Sequence, residues 1–450
     1  MLYIVPQHID NNKIFIIQRS EIEGRWDAQY YNADVHIPNA VPLFSFASVK
    51  GGKRIPKGYS YSNEQTKYYY LRVADMDNDT AISFDTLKCI DEKIFTILER
   101  YEIKEGELAI SIAGTIGKVC LLTHIPAGKR VILTENCAKI VIHNQDKLDI
   151  RYLEILFKMP FIQQQLKNSY IQTTIPKLGL DKILSLKFPS IPNRDFQRNV
   201  IEIIDSAYTD KNQKEFEAQR LLDSIKTYLF DELGMVIPEI STNLPNRIVI
   251  TKFKDIVDTR IDPYYTMYVN HEYQSTKFEN VPLGRIAHIV KGTALTSKEV
   301  ISGNIPVIAG GQTVPYHHNV SNFVGNVITV SASGAYAGFV WYHTTPIFAT
   351  DCSVVYSKDE TKFLTAYIYE VLRYLQAVIY RLQVGAAQPH VYPTDLMNIQ
   401  IPCLPIEQQK SIVERTAILR QQAKDLHAEG KAILENAKKD VERMIMGESS

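Results

Sequence analysis

Two stretches of the chain have the spacing of long amphipathic helices. In the first, residues 195–234, there is no proline or internal glycine, and apolar residues recur at intervals of three and four. The stripe comprises Val200, Ile204, Ala207, Ala218, Leu221, Ile225 and Tyr228, and it is interrupted by Lys211 and Lys214. This spacing predicts one helix with a polar break in its apolar face. At about 1.5 Å per residue, the helix would span roughly 58 Å.

The second stretch covers residues 407–446. Its apolar stripe is more regular and consists of Ile412, Thr416, Leu419, Ala423, Leu426, Gly430, Ile433 and Ala437. A long helix with one narrow apolar face is marginal by itself and needs a partner. We therefore expect the two helices to pack together, antiparallel because each follows its own globular part of one chain. Length alone leaves open that each helix folds back on its own domain.

The regions before these helices have a different pattern. Short β-branched or aromatic runs occur at residues 67–76, 106–113, 118–124, 326–333 and 339–345. Glycine, asparagine and proline separate these runs, which predicts strands of a mostly antiparallel or mixed sheet. Helical stretches at 149–169 and 361–382 interrupt the strands.

An internal repeat relates the two halves of the chain. The matching segments are 12–31 with 246–266, 41–43 with 281–283, 111–119 with 331–340, 132–142 with 347–357, and 184–197 with 397–409. Cys137 aligns with Cys352, and the last pair of segments opens the two long helices. A period this long indicates a duplicated domain and not a solenoid, whose repeats reach about 50 residues.

The predicted fold class is α+β, with two mixed α/β domains separated by a coiled-coil-like pair of long antiparallel helices and related by a pseudo-twofold internal repeat. The expected boundaries are a first domain at 1–192, a long helix at 193–234, a linker at 235–245, a second domain at 246–405 and a long helix at 406–450.

Composition is that of a globular protein, with 45% hydrophobic and 22% charged residues among 450. No apolar run approaches the ~18 residues that span a bilayer, and the first residues lack the plan of a signal peptide. The five cysteines include no C-x-x-C pair, which suggests reduced, mostly buried thiols. We expect a soluble, cytoplasmic protein with no membrane partner.

Three motifs resemble catalytic or metal sites but lack the rest of such a site. Asp262-Pro263-Tyr264-Tyr265 is close to the D-P-P-Y signature of amino-methyltransferases, yet it lacks the second proline and no glycine-rich cofactor loop follows a strand. The GTIGK sequence at 114–118 does not have the spacing of a phosphate-binding loop. His317 and His318 have no carboxylate or cysteine at ligand spacing. We predict no catalytic, cofactor-binding or metal-binding residue in this chain.

The zero net charge conceals a basic segment. Between Val49 and Arg72, six basic residues face the single acid Glu64, and glycines and tyrosines are interleaved with them. Lysines neutralise phosphates, and arginine can bind guanine through two hydrogen bonds. The alternative is a solvated basic loop whose tyrosines belong to the core of the next strand. The candidate DNA contacts are Lys50, Lys53, Arg54, Lys57, Tyr59 and Arg72.

The matching part of the second copy, residues 290–319, begins with the same Val-Lys-Gly and then diverges. Glutamine and asparagine, which suit adenine in the major groove, occur there with histidines in place of the lysines. The candidate contacts are Lys291, Thr293, Lys298, Gln312, His317 and His318. A repeated scaffold with a changed contact surface is what a protein that reads two different half-sites would have.

With these features together, the chain resembles a specificity subunit of a type I restriction–modification system over nearly its whole length. Ile401 to Gln409 reads IPCLPIEQQ, close to the P-L-x-E-Q-Q junction that precedes a long helix in this family. The first copy departs from that junction, with NRDFQ after Pro192. Residues 114–119 and 70–77 also resemble family segments.

The resemblance implies a non-catalytic protein of host defence that reads double-stranded DNA, with one recognition domain for each part of a bipartite, asymmetric site. It implies that two DNA adenine methyltransferase subunits dock on the chain and that motor–nuclease subunits join them. S-adenosylmethionine, ATP and magnesium (Mg) would belong to those partners. The polar loops that family members have before the junctions add Thr173, Lys177, Gln388 and His390 as candidate contacts.

Three other classes of protein remain open. A self-sufficient DNA methyltransferase would transfer methyl groups without partners. A DNA-reading subunit of another methyltransferase-based defence complex would differ only in its partners. A coiled-coil scaffold without a DNA role would show no sequence-dependent binding at any salt concentration.

Overall fold

The computed structural model describes residues 19, 37, 39–76, 82–169, 176–235, 252, 273–385 and 387–447. The matching segments 12–31 and 246–266 and most of the expected linker at 235–245 lie outside these residues. The chain divides into two units. Unit 1 comprises Met1–Asn212 with Gly430–Ser450, and unit 2 is Gln213–Glu429.

Short strands and helices alternate in unit 1 up to the first long helix. In chain order they are β1 (Val41–Pro42), β2 (Ala47–Gly51), β3 (Tyr68–Leu71), β4 (Lys88–Cys89), α1 (Glu92–Leu98), β5 (Glu102–Ile103), β6 (Leu108–Ser111), β7 (Val119–Leu121), β8 (Arg130–Leu133), β9 (Cys137–Ile142), α2 (Ile150–Lys158), α3 (Pro160–Asn168), α4 (Leu180–Leu184) and β10 (Lys187–Phe188). The long helix α5 (Arg194–Leu233) follows and continues into unit 2.

Unit 2 repeats this plan with shorter connections. Its elements are β11 (Asn280–Pro282), α6 (Leu283–Ile286), β12 (Ala287–Lys291), β13 (Ile305–Ile308), β14 (His317–His318), β15 (Val327–Ser331), β16 (Val340–His343), β17 (Phe348–Ala349), β18 (Cys352–Ser357), α7 (Thr365–Tyr374), α8 (Gln376–Tyr380), α9 (Pro393–Met397) and β19 (Gln400–Pro402). The second long helix, α10 (Ile406–Met446), begins in unit 2 and ends in unit 1.

The antiparallel sheets have the same topology in both units, whereas the second sheet has four strands in unit 1 (β4-β3-β8-β5) and three in unit 2 (β14-β13-β17). An antiparallel sheet has the order β2-β9-β6-β7 in unit 1 and β12-β18-β15-β16 in unit 2. A second sheet contains a parallel pair, β3 with β8 or β13 with β17. The strands β6 and β15 are buried along their whole length, as expected of central strands covered on both faces. The predicted α+β class with an internal repeat is confirmed.

One close backbone contact recurs at the end of the first long strand. The Gly52 N–H donates to Cys137 O and the Gly292 N–H donates to Cys352 O, both at 2.8 Å. A Cβ atom on either glycine would lie 2.1 Å from the carbonyl oxygen of the facing threonine, so only glycine fits. The structure therefore aligns Gly52 with Gly292, whereas the Val-Lys-Gly match in the sequence placed Gly51 there.

The two long helices pack together in antiparallel orientation, as predicted. In unit 1, the beginning of α5 shares a core with the end of α10 through Val200, Ile204 and Val441. In unit 2, the end of α5 shares a core with the beginning of α10 through Ile225, Leu229, Ile412 and Leu419. Helix α5 begins and ends within one residue of the amphipathic stretch 195–234, and α10 within one residue of the stretch 407–446, short of the expected bound at 450.

The apolar seam of the helices follows the sequence pattern over most of its length. At the predicted polar break, Lys214 Nζ lies 2.9 Å from Glu429 Oε2 on the other helix. Beyond Gly430, the buried residues of α10 are Leu434 and Val441, while the expected Ile433 is only half-buried. An α-helix drifts by ~20° per seven residues relative to a strict heptad, which moves the buried stripe onto the neighbouring position.

Both shorter helical stretches are broken where the sequence predicted continuous helix. The first separates into α2 and α3 at Met159, whose ψ of 145° is extended. Pro160 follows, and the residue before a proline is disfavoured in the helical region. The second begins only at Thr365 and breaks at Leu375, whose ψ of 13° lies outside the helical range. In each unit these helices cover the antiparallel sheet.

A buried glutamine anchors the start of α5. The Gln197 side chain is fully buried, and its Nε2 donates to the carbonyl oxygens of Lys147 and Pro192, each at 2.8 Å. Its Oε1 accepts from the Asp149 N–H at 2.8 Å. The side chain thus joins the helix to the segment before α2 and to the proline-rich junction.

The start of α10 has the same anchor. Gln409 is fully buried, and its Nε2 donates to Lys362 O and Leu404 O at 2.8 Å. Its Oε1 accepts from the Leu364 N–H at 2.9 Å. The first junction, which departs from P-L-x-E-Q-Q in sequence, therefore keeps the glutamine that makes these bonds.

Candidate nucleic-acid interface

A cleft of about 570 Å³ opens in unit 1 between the loop after β2 and the turn after β8. Three predicted contacts, Arg54, Tyr59 and Arg72, line it together with Tyr61, Tyr70, Thr134, Glu135 and Asn136. Tyr70 is buried, and its hydroxyl donates to Lys53 O at 2.8 Å, which fixes the start of the loop. Burial raises the pKa of Tyr70 to about 12.

Arg54 is the exposed cation of this cleft. Its side chain is 78% exposed, and its Nε donates to Glu135 Oε1 at 2.5 Å. The other carboxylate oxygen accepts from the Thr134 hydroxyl at 2.7 Å. Burial acts to raise the pKa of Glu135, but the hydrogen bonds from Thr134 and Arg54 outweigh it and leave the pKa below its ordinary value. The carboxylate is therefore ionised at neutral pH.

Arg72 forms an ion pair with Asp75. Its Nε and Nη2 donate to the two oxygens of Asp75 at 2.9 and 2.6 Å, and Asp75 is only 5% exposed. These hydrogen bonds raise the pKa of Arg72. The pair closes the turn that follows β3, so Arg72 shapes the cleft and its charge is balanced by the buried carboxylate.

The other predicted contacts in unit 1 lie outside the lining of the cleft. Lys50 is exposed at the end of β2, and Lys53 and Lys57 are exposed on the following loop. Lys177 is exposed, and its backbone forms a bridge with Ala113. Thr173 lies outside the described residues.

Unit 2 has a cleft of about 450 Å³ beside the corresponding loop after β12 and turn after β17, and its other wall is the segment of residues 390–393. Two predicted contacts, Lys291 and His390, line it together with Asp351. The Ser333 hydroxyl donates to Asp351 Oδ2. The His390 ring is stacked 6.0 Å from the ring of Tyr392. Unit 2 thus places an acid and a basic or aromatic wall together, as unit 1 does.

Most of the remaining candidates in unit 2 are exposed but do not line the cleft. They are Thr293, Lys298, Gln312, His317 and Gln388. His318, which was expected to contact DNA, is different because its side chain is not exposed. It is buried, its Nδ1 lies 3.1 Å from the Ile301 backbone nitrogen, and its ring is edge-on to Phe348. In strand β14 the side chains alternate between faces, so His317 points outward and His318 inward.

Backbone hydrogen bonds beside the two clefts recur in both units. The Lys53 N–H donates to Leu133 O at 3.0 Å, and the Thr293 N–H donates to Ala349 O at 2.9 Å. Thr134 and Thr350 follow these two accepting residues. The Thr134 N–H donates to Leu71 O on β3, and the Thr350 N–H donates to Ile308 O on β13. Lys53 is therefore equivalent to Thr293.

The polar loop before each junction is held in the same way. The Gly114 N–H donates to Pro176 O at 3.2 Å, and the Gly334 N–H donates to Pro389 O at 3.0 Å. Lys177 and His390, which follow these prolines, occupy equivalent positions. Pro176 and Pro389, near the ends of the loops predicted before the junctions, are thus joined to the glycine-containing turns of 114–118 and 334–338.

Each cleft contains an acid that is absent from the contacts predicted from the sequence. Glu135 and Asp351 each follow the threonine that ends the strand, but the turn of unit 1 is one residue longer: the Ile112 N–H donates to Asn136 O, and the Ala332 N–H donates to Asp351 O. A signal was present, because T-E-N-C at 134–137 and T-D-C at 350–352 both place an acid before the aligned cysteine. Over the ranges that the structure describes, no group of three histidine, cysteine or acidic side chains is placed to hold a metal ion. Nor does any helix of those ranges have the length and apolarity to cross a membrane.

This doubled fold with its two clefts belongs to a DNA specificity protein, and the family model agrees. Residues 40–224 and 275–436 match the type I restriction modification DNA specificity domain, and the chain belongs to that family. The resemblance drawn from the sequence is confirmed. No curated protein matches the chain.

Solved structures of the same kind cover nearly the whole chain. One, described for the complex assembly and conformational transition of the type I R-M system, is 16% identical with a TM-score of 0.50 and covers 92% of this chain and 97% of its own. The S subunit of a type I restriction-modification system from M. genitalium is 15% identical, with a TM-score of 0.46 and coverage of 91% and 97%. The HsdS subunit from Thermoanaerobacter tengcongensis is 15% identical, with a TM-score of 0.35 and coverage of 92% and 98%. At 16% identity, the first of these structures shows only that the fold is shared.

Proposed function

We propose that this chain is the DNA-reading subunit of a type I restriction–modification complex, in which each recognition domain reads one part of a bipartite, asymmetric site. The recognition domains would be residues 1–192 and 246–405, the spacer helices 193–234 and 406–450, and the linker 235–245. The observation that carries the proposal is the pair of clefts, which share their backbone hydrogen bonds and differ in their side chains.

Two unlike half-sites need one frame with two sets of contacts. Lys53 is replaced by Thr293 and Lys177 by His390 at equivalent positions, and only side chains that reach base edges distinguish sequences. The proposed contacts in unit 1 are Lys50, Lys53, Arg54, Lys57, Tyr59, Thr173 and Lys177. Those in unit 2 are Lys291, Thr293, Lys298, Gln312, His317, Gln388 and His390. Arg72 supports the cleft wall through Asp75, and His318 belongs to the core.

Family membership supports the partners that complete the proposal. Two DNA adenine methyltransferase subunits would dock on this chain, and motor–nuclease subunits would join for restriction in the cytoplasm. S-adenosylmethionine, ATP and magnesium would then act in those partners, and this chain would be non-catalytic. A purified chain that transferred labelled methyl groups to DNA by itself would instead be a methyltransferase.

The decisive experiment is methylation mapping in cells that carry the partner methyltransferase with and without this chain. We expect methylated adenines in one bipartite motif with two unlike halves, present only with the chain. Methylation that does not depend on the chain, or that follows no sequence, would contradict the proposal.

Binding to DNA at several salt concentrations tests the lysines separately. Replacing Lys53 and Lys57 by alanine should weaken binding to all sequences and lower the slope of log K against log salt by about 0.9 for each lost phosphate contact. The matched control is Lys104→Ala, on the turn between β5 and β6 and away from the cleft of unit 1, which should leave the slope unchanged.

A further inference from the structure

The Arg54–Glu135 pair has a donor and acceptor pattern that matches one base pair. In the major groove, guanine presents the acceptors N7 and O6, and the paired cytosine presents its N4 amino donor. Arg54 uses Nε for Glu135, which leaves the N–H groups of both terminal nitrogens. Each oxygen of Glu135 accepts one hydrogen bond within unit 1 and has a second lone pair. Two donors thus lie beside an acceptor, in the order that a G·C pair requires.

The carboxylate is fixed more firmly than a surface ion pair requires. Exposed salt bridges contribute little to stability, so stability does not explain this arrangement. Glu135 is bonded to Thr134, and the Cys137 N–H donates to Thr134 O at 3.1 Å, which closes the turn that bears the carboxylate. A contact held in place before binding loses less entropy when the DNA arrives.

Arg72, the other arginine that lines the cleft, cannot make the same contact with guanine. Arg72 has its Nε and one terminal nitrogen bound to Asp75, whose carboxylate is buried. Arg54 is exposed and reachable from solvent, and Glu135 is 26% exposed beside it. Of the two arginines that line the cleft, Arg54 has the accessible guanidinium.

Building on the proposed function, we propose that Arg54 and Glu135 together read one G·C base pair in the half-site of unit 1. Arg54 donates to guanine O6 and N7, and Glu135 accepts from cytosine N4. In unit 2 the frame places Ala294 at the position of Arg54, and Asp351 is bonded to Ser333. Unit 2 therefore does not read a G·C pair with these positions, although Asp351 retains an acceptor for an amino group.

The test compares motifs obtained by methylation mapping of the full complex with single variants of this chain. Glu135→Gln keeps the shape and adds a donor, and an amide suits adenine better than cytosine. We expect one G·C position to lose roughly tenfold in preference and adenine to become acceptable there, with the rest of the motif unchanged. Arg54→Ala, at an exposed position that does not endanger folding, should make the same position degenerate.

Asp351→Asn is the matched control, because Asp351 is the acid that follows the corresponding threonine, Thr350, in unit 2. It should change the other half of the motif, which also identifies the half that belongs to unit 1. An unchanged motif for Glu135→Gln, or an Arg54→Ala variant that is weaker on every sequence alike, would overturn the inference and reduce Arg54 to a phosphate contact. A wild-type chain that directs no motif would instead refute the proposed function.

Discussion

The two clefts of this protein combine an equivalent frame with different chemistry. In unit 1 the guanidinium of Arg54 is next to Glu135, while in unit 2 an alanine stands at that position and Asp351 bonds to a serine hydroxyl. The backbone hydrogen bonds of the threonine before each acid, Thr134 and Thr350, recur in both units, while the turn that carries the acid is one residue longer in unit 1. Since the frame depends on main-chain groups, the side chains at the cleft can change without loss of the fold.

The comparison also distinguishes glycine positions that both units share from a histidine that only one unit has. Gly52 and Gly292 belong to the shared frame, because each touches a facing backbone. His343 belongs to unit 2 alone, since unit 1 has Leu122 at the equivalent register of the antiparallel sheet. Variants at these positions test, in turn, what the units share and where they differ.

The largest effect is expected from Gly52→Ala and Gly292→Ala. Each added Cβ would meet a carbonyl oxygen at 2.1 Å, so the strand end must move, and we expect a loss of about 3 kcal/mol or more in the unfolding free energy of the affected unit. Denaturant unfolding followed by hydrogen exchange measures the unfolding free energy of each unit. Gly311→Ala is the control, because its nearest atom lies at 3.9 Å. Two glycine variants as stable as this control would disprove the shared frame.

Acid should destabilise unit 2 through His343. Burial lowers its pKa from 6.5 to about 4, and its Nε2 lies 2.8 Å from the Thr329 hydroxyl. The folded state therefore holds the imidazole neutral, and this stability is complete above pH 6.5 and is lost as the pH falls towards 4. We expect a loss of roughly 2–3 kcal/mol across that window, visible as faster hydrogen exchange in β15 and β16.

The residues of unit 1 supply the control for this pH effect. Ala109 and Leu122 stand where unit 2 has Thr329 and His343, and both are buried. The double variant Thr329→Ala, His343→Leu should unfold with a flatter pH dependence between 6.5 and 4. A slope equal to that of the wild type would assign the acid sensitivity to other groups.

The smallest effect is expected where the long helices meet through charge. Glu429→Gln removes the pair with Lys214, and because both groups are substantially exposed we expect a loss below about 1 kcal/mol that vanishes at high salt. The control is Glu407→Gln, which removes a pair with Lys410 within one helix. A loss of several kcal/mol would mean that this contact, and not the apolar seam, holds the helices together.

The long helices, the duplication and the family could all be predicted from the sequence, because each rests on patterns that are local or repeated. Apolar spacing located both helices to within a residue. The match of Cys137 with Cys352 was enough to align the two copies at the cleft. The proline at position 160 was a local signal for the broken helix that the periodicity obscured.

The details of the clefts could not be predicted, because they depend on which distant residues meet. Nothing near Arg72 or Arg54 in the sequence indicates that one arginine bonds a buried carboxylate and the other a half-buried one 81 positions away. His317 and His318 are adjacent, and only the register of β14 decides which is buried. The one-residue error at Gly51 likewise arose because a close backbone approach has no local pattern.

The antiparallel packing of α5 and α10 has a consequence for the order in which the protein is completed. The core of unit 1 includes Val441, which is fully buried with Val200 and Ile204. Domains generally fold as units during synthesis, with the N-terminal one first. Here residues before 213 are synthesised before unit 2, and their apolar helix face is covered only when the segment after Glu429 has followed. A premature stop after Glu429 would therefore damage the unit that was synthesised first.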